Sequence, residues 1–362
     1  MNQKTHIAVL VSGGVDSSVA LRLLKDQGYK LTAFYLKIWL EDELAYLGDC
    51  PWEEDLAYVR QVCEQAEIPL EVISLQKEYH EQVVAYTLSE IRSGRTPNPD
   101  IFCNARIKFG AFYQKIDARF DYVATGHYAH TKISNNHVKL CESRDTHKDQ
   151  TYFLAHLTQE QLKRALFPLG HLTKAQVREL AHSYNLPNKT RKDSQGICFL
   201  GKLKFADFIK HHLGDLPGDL IEHETGKKIG SHNGYWYYTI GQRQGIGLAG
   251  GPWYVVAKNS KNNTVEISRN YYEPDKIRDQ FIIRNSHWID ANNKLILESS
   301  KPIEVKLRHG AHKYLCTLTE RVTGEYLVKL HERDQGIAPG QFAVFYQDQV
   351  CLGTGVIGYV PE

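Results

Sequence analysis

An α/β chain with a parallel sheet at its start and β structure towards its end is predicted by three observations. Short apolar runs alternate with amphipathic stretches over the first 130 residues, the pattern of βαβ units. A glycine pair, Gly13-Gly14, separates the first apolar run from the first amphipathic stretch. Beyond about Gly214, Gly, Thr, Tyr and Val become frequent, and helical periodicity gives way to short alternating segments.

In chain order, His6 to Val11, Leu31 to Leu36, Leu70 to Leu75 and Asp121 to Thr125 read as strands. Asp16 to Gln27 reads as a helix that stops at Gly28. Glu53 to Ala66 sets Leu56, Val59, Cys63 and Ala66 on one helical face, which makes Cys63 a core residue. Glu78 to Arg92 and Ala105 to Arg119 complete the helices of this part. The stretch from Gln159 to about Leu213 reads as helical and basic, with loops around Pro187 and Gly196. Further on, Gly234 to Ile240, Trp253 to Lys258 and Thr264 to Ser268 suggest strands. Ile303 to Arg308, Tyr314 to Glu320, Tyr326 to Leu330 and Phe342 to Tyr346 then suggest a small barrel.

A chain of 362 residues exceeds what one core usually supports, so two or three domains are expected, with bounds set at 1–200, 201–278 and 279–362. No run of 18 apolar residues occurs and the first residues are polar, so the expected location is the cytoplasm, with no membrane partner. Seven cysteines, an odd set with irregular gaps, argue against a disulfide framework. Net charge is only +2, yet Glu160 to Lys210 holds ten bases against four acids. A solvated helix face and a phosphate-binding surface explain that excess equally well.

Ser12-Gly13-Gly14-Val15-Asp16-Ser17-Ser18 lies between a buried strand and a helix start, where glycine lets backbone N–H groups approach phosphate oxygens. No G-x-x-x-x-G-K-[ST] string exists, so this is a phosphate loop of another kind. Asp16 is acidic where phosphates would sit, a conflict that magnesium would remove. Gly126, in Ala124-Thr125-Gly126-His127-Tyr128, falls at the same sheet edge, where it would face adenine or ribose or simply make a turn. Gly245-Ile246-Gly247-Leu248-Ala249-Gly250 fits G-x-G-x-x-G, but it follows no βαβ start and leads into no helix. Cys103, after Thr96-Pro97-Asn98-Pro99-Asp100, and Cys198, in Asp193-Ser194-Gln195-Gly196-Ile197-Cys198-Phe199, both read as loop residues. Lys189, Arg191 and Lys192 before Cys198 would favour its thiolate, the nucleophilic form. Cys50, Cys141, Cys316 and Cys351 read as small buried hydrophobes.

The S-G-G-V-D-S-S loop resembles that of ATP pyrophosphatases. Together with T-P-N-P-D-I-F-C-N, I-K-F-G at 107–110, A-T-G-H-Y, K-D-Q-T-Y-F at 148–153, D-S-Q-G-I-C-F, Y-T-I-G-Q-R at 238–243 and P-G-Q at 339–341, it resembles the tRNA-specific 2-thiouridylases of the MnmA/TrmU type over nearly the whole chain. Two departures stand out: Thr151 replaces the usual serine, and Lys37-Ile38-Trp39 lacks an asparagine before the tryptophan. The resemblance implies a Rossmann-like ATP pyrophosphatase (PP-loop) domain with a parallel sheet, a small central domain and a C-terminal β-barrel that binds tRNA. It implies that Leu10, Val11, Ser12, Gly13, Gly14, Val15, Asp16, Ser17, Leu36 and Gly126 bind ATP with Mg2+. Asn98, Pro99 and Asp100 would meet the target base, and His127, Lys148, Asp149, Gln150, Arg308, His309 and Gln341 would contact the tRNA. Cys198 would carry a persulfide, Cys103 would be its partner, and Asp100 would move protons. The implied partners are tRNAs for Lys, Glu and Gln and a persulfide donor, either a cysteine desulfurase or a relay protein.

Three rival readings stand beside this one. An amidotransferase or ligase of the same loop class would need no paired cysteines. An iron-sulfur enzyme would hold a cluster at Asp100, Cys103 and Cys198. A non-catalytic RNA-binding protein would leave the nucleotide loop without a purpose.

Overall fold

The computed structural model describes residues 5–38, 51–116, 118–193, 204–273, 278–290, 302–322 and 324–359. Cys50, Trp39 and the segment from Ser194 through Cys198 lie outside the described residues.

The first sheet has five parallel strands in the order β3-β2-β1-β4-β7. They are β1 (His6–Leu10), β2 (Lys30–Lys37), β3 (Leu70–Ser74), β4 (Tyr122–Ala124) and β7 (Ala165–Leu166). Every residue of β1 is buried, as a parallel strand covered on both faces requires. Alternate residues point to opposite faces, so Ala8 and Leu10 join one apolar cluster and Ile7 and Val9 join the other. The second cluster is closed by α1 (Val15–Asp26), α2 (Pro51–Gln65) and α3 (Lys174–Ser183) through Val19, Val59 and Val177. Cys63 sits in it as expected, its thiol pushed up to about 11 by burial.

On the opposite face the predicted helix Glu78 to Arg92 is broken in type. Gln76–Tyr79 and Ala85–Arg92 are α-helical, and His80–Val84 between them is a π-helix. The predicted loop around Cys103 is also helical: Pro99–Phe102 runs into a π-helix, Cys103–Ala111. Proline at the first position of that short helix starts it, since its missing N–H would have no partner there.

A four-stranded sheet, β10-β11-β8-β9, follows: β8 (Gly218–Glu222), β9 (Lys228–His232), β10 (Tyr254–Asn259) and β11 (Thr264–Ser268). Gly234 to Ile240, expected as a strand, instead contains a 3-10 turn at Tyr235–Tyr237, and the Tyr235 hydroxyl leaves the sheet to bond Arg92 O.

The last segment closes into a six-stranded barrel, because β12 (Arg278–Trp288) pairs with both β15 (Glu325–Asp334) and β17 (Val350–Gly358). The intervening strands are β14 (Tyr314–Val322), β13 (Ile303–Lys306) and β16 (Phe342–Gln347). Closure removes the open edges that a small sheet would expose. The hairpin of β5 (Ala129–Ser134) and β6 (His137–Glu142) extends from the first part of the chain onto β17. Nothing in the sequence pattern announces that attachment.

Candidate active site

The loop after β1 lies at the carboxyl end of the sheet, where β2 departs to one side and β4 to the other. Ligands of open α/β sheets bind at such a switch point. Gly13 has φ +77°, a left-handed conformation in which a side chain would be strained, and a Cβ there would meet Asp55 O at 2.7 Å. The start of α1 has no side-chain cap, so its first-turn N–H groups are open to an anion. Ser17 Oγ accepts from Ser12 N at 3.2 Å and donates to Gly14 O at 3.0 Å, which folds the loop back on the helix. Asn188, only 1% exposed, holds the loop from beneath by donating to Gly13 O and Ser18 Oγ at 2.8 and 2.9 Å.

Leu10, Val11 and Val15 are core residues, so only their backbone can serve a ligand, and Val11 N is already spent on Phe34 O. Leu36 is half-buried at the end of β2. Gly126 lies two residues beyond β4, against the nucleotide loop. A Cβ there would lie 2.7 Å from Ser17 N, so its lack of a side chain lets the strand β4 edge touch the start of α1.

Asp16 does not stand alone at the start of the helix. Lys174 Nζ contacts both its oxygens at 2.7 and 2.9 Å, and the Tyr128 hydroxyl donates to it at 3.0 Å. Lys174 also reaches Asp193 at 2.8 Å, where Lys148 and Arg178 converge at 2.9 and 2.5 Å. Burial alone would raise the Asp193 carboxyl, but hydrogen bonds from Lys174 and Lys148 hold it well below the usual carboxylate range. Arg191 bonds Gly13 O and pairs with Asp55 at 2.5 Å. Lys174 is the first residue of its helix, against the helix dipole, a position that disfavours a cation by roughly 0.3–1 kcal/mol. Two carboxylates offset that. Lys174 and Arg191 of the basic segment are thus turned onto the nucleotide loop, and Arg178 onto Asp193 and the carbonyls of Lys189 and Arg191, rather than spread over a solvated face. The charge excess was the signal; which acids face these bases follows only from the fold.

Among the described residues, no three His, Cys, Asp or Glu side chains converge as a metal site.

Cys103 is 1% exposed, one residue beyond the short helix that carries Pro99 and Asp100. Asn98 caps that helix by position, and Gln341 of the barrel donates to the carbonyls of Thr96 and Pro97 at 3.2 and 2.9 Å just ahead of it. Cys198 is outside the described residues, so its distance from Cys103 is not defined.

The three residues Lys148, Asp149 and Gln150 point three ways. Lys148 reaches Asp193 as above; Gln150 accepts from Tyr128 N at 3.0 Å. Asp149 is 3% exposed and its carboxylate is taken by Ser143 N, the Thr151 hydroxyl and Lys306 Nζ at 3.0, 2.7 and 3.0 Å. The side chain is thus committed to the protein's own donors, which leaves the Asp149 backbone as the part that faces His309. Thr151, one of the departures, keeps the hydroxyl that this contact uses. His309 meets Asp149 O at 3.2 Å and stacks on Phe153, while Arg308, half exposed, pairs with Asp334. His127 contacts the Thr125 hydroxyl at 2.7 Å, and burial together with Lys108 keeps its ring pKa well below the ordinary histidine value.

Residues 5–202 match a family described as the tRNA methyl transferase HUP domain, 206–269 its PRC-barrel domain and 278–357 the aminomethyltransferase beta-barrel domain. The tRNA-specific 2-thiouridylase MnmA of Parabacteroides distasonis is 45% identical over 358 residues, covering 97% of this chain and 98% of that protein. The protein of the same name from Porphyromonas gingivalis is 45% identical over 361 residues, with the same two coverages. Among solved structures, the U34-tRNA thiolase NcsA from Methanococcus maripaludis with its 4Fe-4S cluster is 16% identical, covers 58% of this chain and 67% of that one, and has a TM-score of 0.34, too slight a likeness to argue from.

Proposed function

Since the chain belongs to the tRNA-specific 2-thiouridylase family, we propose that it activates the C2 oxygen of the wobble uridine of tRNA with ATP and replaces it with sulfur. The observation that carries this reading is the loop from Ser12 to Ser18 at the switch point of the sheet, with Lys174 shared between Asp16 and Asp193 beside it. Backbone N–H groups of the loop and the start of α1 bind the phosphates, and Lys174 supplies positive charge as pyrophosphate departs. Asp16 positions Lys174, and its carboxylate would help hold magnesium, which would neutralise phosphate charge there. Two of the matched family descriptions carry the words methyl transferase. Methyl transfer would leave this loop unused, which favours thiolation.

Uridine O2 is a poor leaving group until it is bonded to AMP, with pyrophosphate released. A persulfide on Cys198 then attacks C2 through its outer sulfur, and AMP leaves with the oxygen. The Cys103 thiolate takes the inner sulfur, giving a Cys103–Cys198 disulfide and 2-thiouridine. Asp100 accepts or returns the proton. An external thiol reductant and a persulfide donor restore the enzyme. The base must leave its stack to reach the short helix after Asn98.

The test follows labelled sulfur and pyrophosphate together, using tRNAs for Lys, Glu and Gln. Wild type should release pyrophosphate only with tRNA. Cys198→Ser should still release it yet accept no label, and Cys103→Ser should accept label on Cys198 but fail to complete transfer. Full turnover by Cys103→Ser would sink the pairing, and an absorbing cluster in anaerobically purified protein would favour iron-sulfur chemistry at Asp100, Cys103 and Cys198 instead.

A further inference from the structure

The glycine string of the central domain, too poorly placed to bind a dinucleotide, lines a cavity of about 400 Å³ with Arg243, Gly245, Ile246, Gly247, Gly251 and Trp253. Three of its features suit an anion. Gly245, Gly247 and Gly250 have φ of +79°, +74° and +74°, and a Cβ on Gly247 or Gly250 would meet nothing within 4 Å, so the glycines serve backbone shape and not packing. From Arg243 to Gly251 no backbone N–H donates to a described residue, and the glycines of this run at 245, 247, 250 and 251 are exposed, so their N–H groups have no protein acceptor among the described residues. Arg243 is exposed and has no carboxylate partner among the described residues, unlike the bases around Asp16.

The loop is nevertheless anchored. Trp253 Nε1 donates to Ala249 O at 3.0 Å, and Arg269 covers the Trp253 ring at 4.8 Å. At its other end, a Cβ on Gly241 would lie 2.8 Å from the hydroxyl of Tyr271. Tyr271 stacks on Tyr254 with centroids 4.7 Å apart and lies in the field of Asp334 and Arg308 of the barrel. Tyr272, edge-on to Tyr271, is 68% exposed. Arginine, open N–H groups and an exposed aromatic form the chemistry of RNA contact, in which phosphates fix position and rings stack on bases.

We propose that the loop from Arg243 to Gly251 binds a phosphodiester of the tRNA, anchoring the substrate on the central domain at a distance from the nucleotide loop. This rests on tRNA being the substrate. A single phosphate contact contributes about 0.7–0.9 to the slope of log affinity against log salt.

The experiment measures affinity for labelled full-length tRNA from 50 to 200 mM salt, on the whole chain, with unfolding temperature as a check of folding. Arg243→Gln should weaken binding about three- to tenfold at low salt and reduce the slope by about 0.7–0.9. Gly247→Asp should weaken it further, while Gly247→Asn, equally tolerant of left-handed backbone and nearly isosteric, should not. If Gly247→Asp fails to fold, the Arg243→Gln slope decides. An equal loss in Lys139→Gln, on the β5–β6 hairpin, would reduce the effect to net charge and overturn the site. Unchanged tRNA affinity in Arg243→Gln, with loss of a pyrophosphate-induced rise in unfolding temperature, would assign the loop to a small anion and overturn it too. A wild type without measurable tRNA affinity removes the substrate reading as well; a wild type that binds, with variants that match it, removes this site alone.

Discussion

Two clusters of charge sit on either side of adjacent residues. Lys148 belongs to the open one, with Asp193, Lys174 and Asp16, whose side chains are 16–43% exposed. Asp149 belongs to the sealed one, where Lys306 bridges it to Glu142 with 2% exposure, and Lys313 bridges Glu142 to Glu304. The two clusters have similar distances and different freedom. Partners at the open edge can be exchanged for phosphates and water, whereas Lys306, Asp149 and Glu142 at the barrel junction, 2–10% exposed, depend on the partners they already have. Proximity of acids and bases is therefore no index of function; access is.

The largest effect expected from this contrast is catalytic. Lys174→Met should lower tRNA-dependent pyrophosphate release roughly 10²–10³-fold, the usual cost of removing one transition-state donor. Stability should change by about 1 kcal/mol or less, because both partners keep solvent contact. Asp16→Ala should act alike, with tRNA binding retained. A large stability loss without an activity loss would show that the open cluster is structural after all.

The reverse split is expected at the junction. Lys306→Met leaves Asp149 and Glu142 buried without their shared cation and should destabilise the fold by about 3–5 kcal/mol in denaturant unfolding. Nucleotide affinity measured on the folded fraction should not move. If Lys306→Met unfolds normally but cannot bind ATP, the two clusters are coupled and the comparison fails.

Much of this was legible beforehand, and the limits have physical causes. Four of the five strands of the first sheet could be read because each holds a short apolar run, Ile7–Leu10 in β1 and Ala33–Leu36 in β2, and the loop after β1 because its spacing has few other uses. Ala165–Leu166, two residues long, carries no periodicity and was invisible as a strand. The helical setting of Cys103 was hidden by Pro97 and Pro99, which mark a break equally well when one of them opens a helix. Asp149 looked like its neighbours in K-D-Q because nothing local says which way a carboxylate turns. Its buried partner, Lys306, is 157 residues away.

A third effect, intermediate in size, concerns pH at the junction. His156 stacks on His287 with centroids 4.6 Å apart, and burial, then the neighbouring His287, push it down to about 4. Unfolded chain would take up a proton near 6.5 while the native ring stays neutral until about 4, so this group's stabilisation is complete above 6.5 and is lost as pH falls towards 4. His156→Phe should flatten the stability profile in that window, read by denaturant titrations at pH 7.5 and 4.5. An identical slope in the variant would clear His156 of any part in acid sensitivity.

The smallest effect separates two roles for one side chain. Family resemblance sets Gln341 against tRNA, yet its amide nitrogen is engaged by the carbonyls of Thr96 and Pro97, which precede the helix bearing Asp100. If the amide acts by holding that segment, Gln341→Ala should cost about 0.5–1.5 kcal/mol of stability, the net worth of a neutral hydrogen bond. It should then reduce the rate at saturating tRNA, because the short helix is less well placed, and leave the dissociation constant nearly unchanged. If the amide instead leaves those carbonyls to meet RNA, affinity should fall while unfolding stays as in wild type. Gln341→Glu sharpens the choice: a carboxylate cannot donate to either carbonyl and also repels phosphate, so the positioning role gives a rate loss alone, whereas RNA contact adds a salt-dependent loss of affinity.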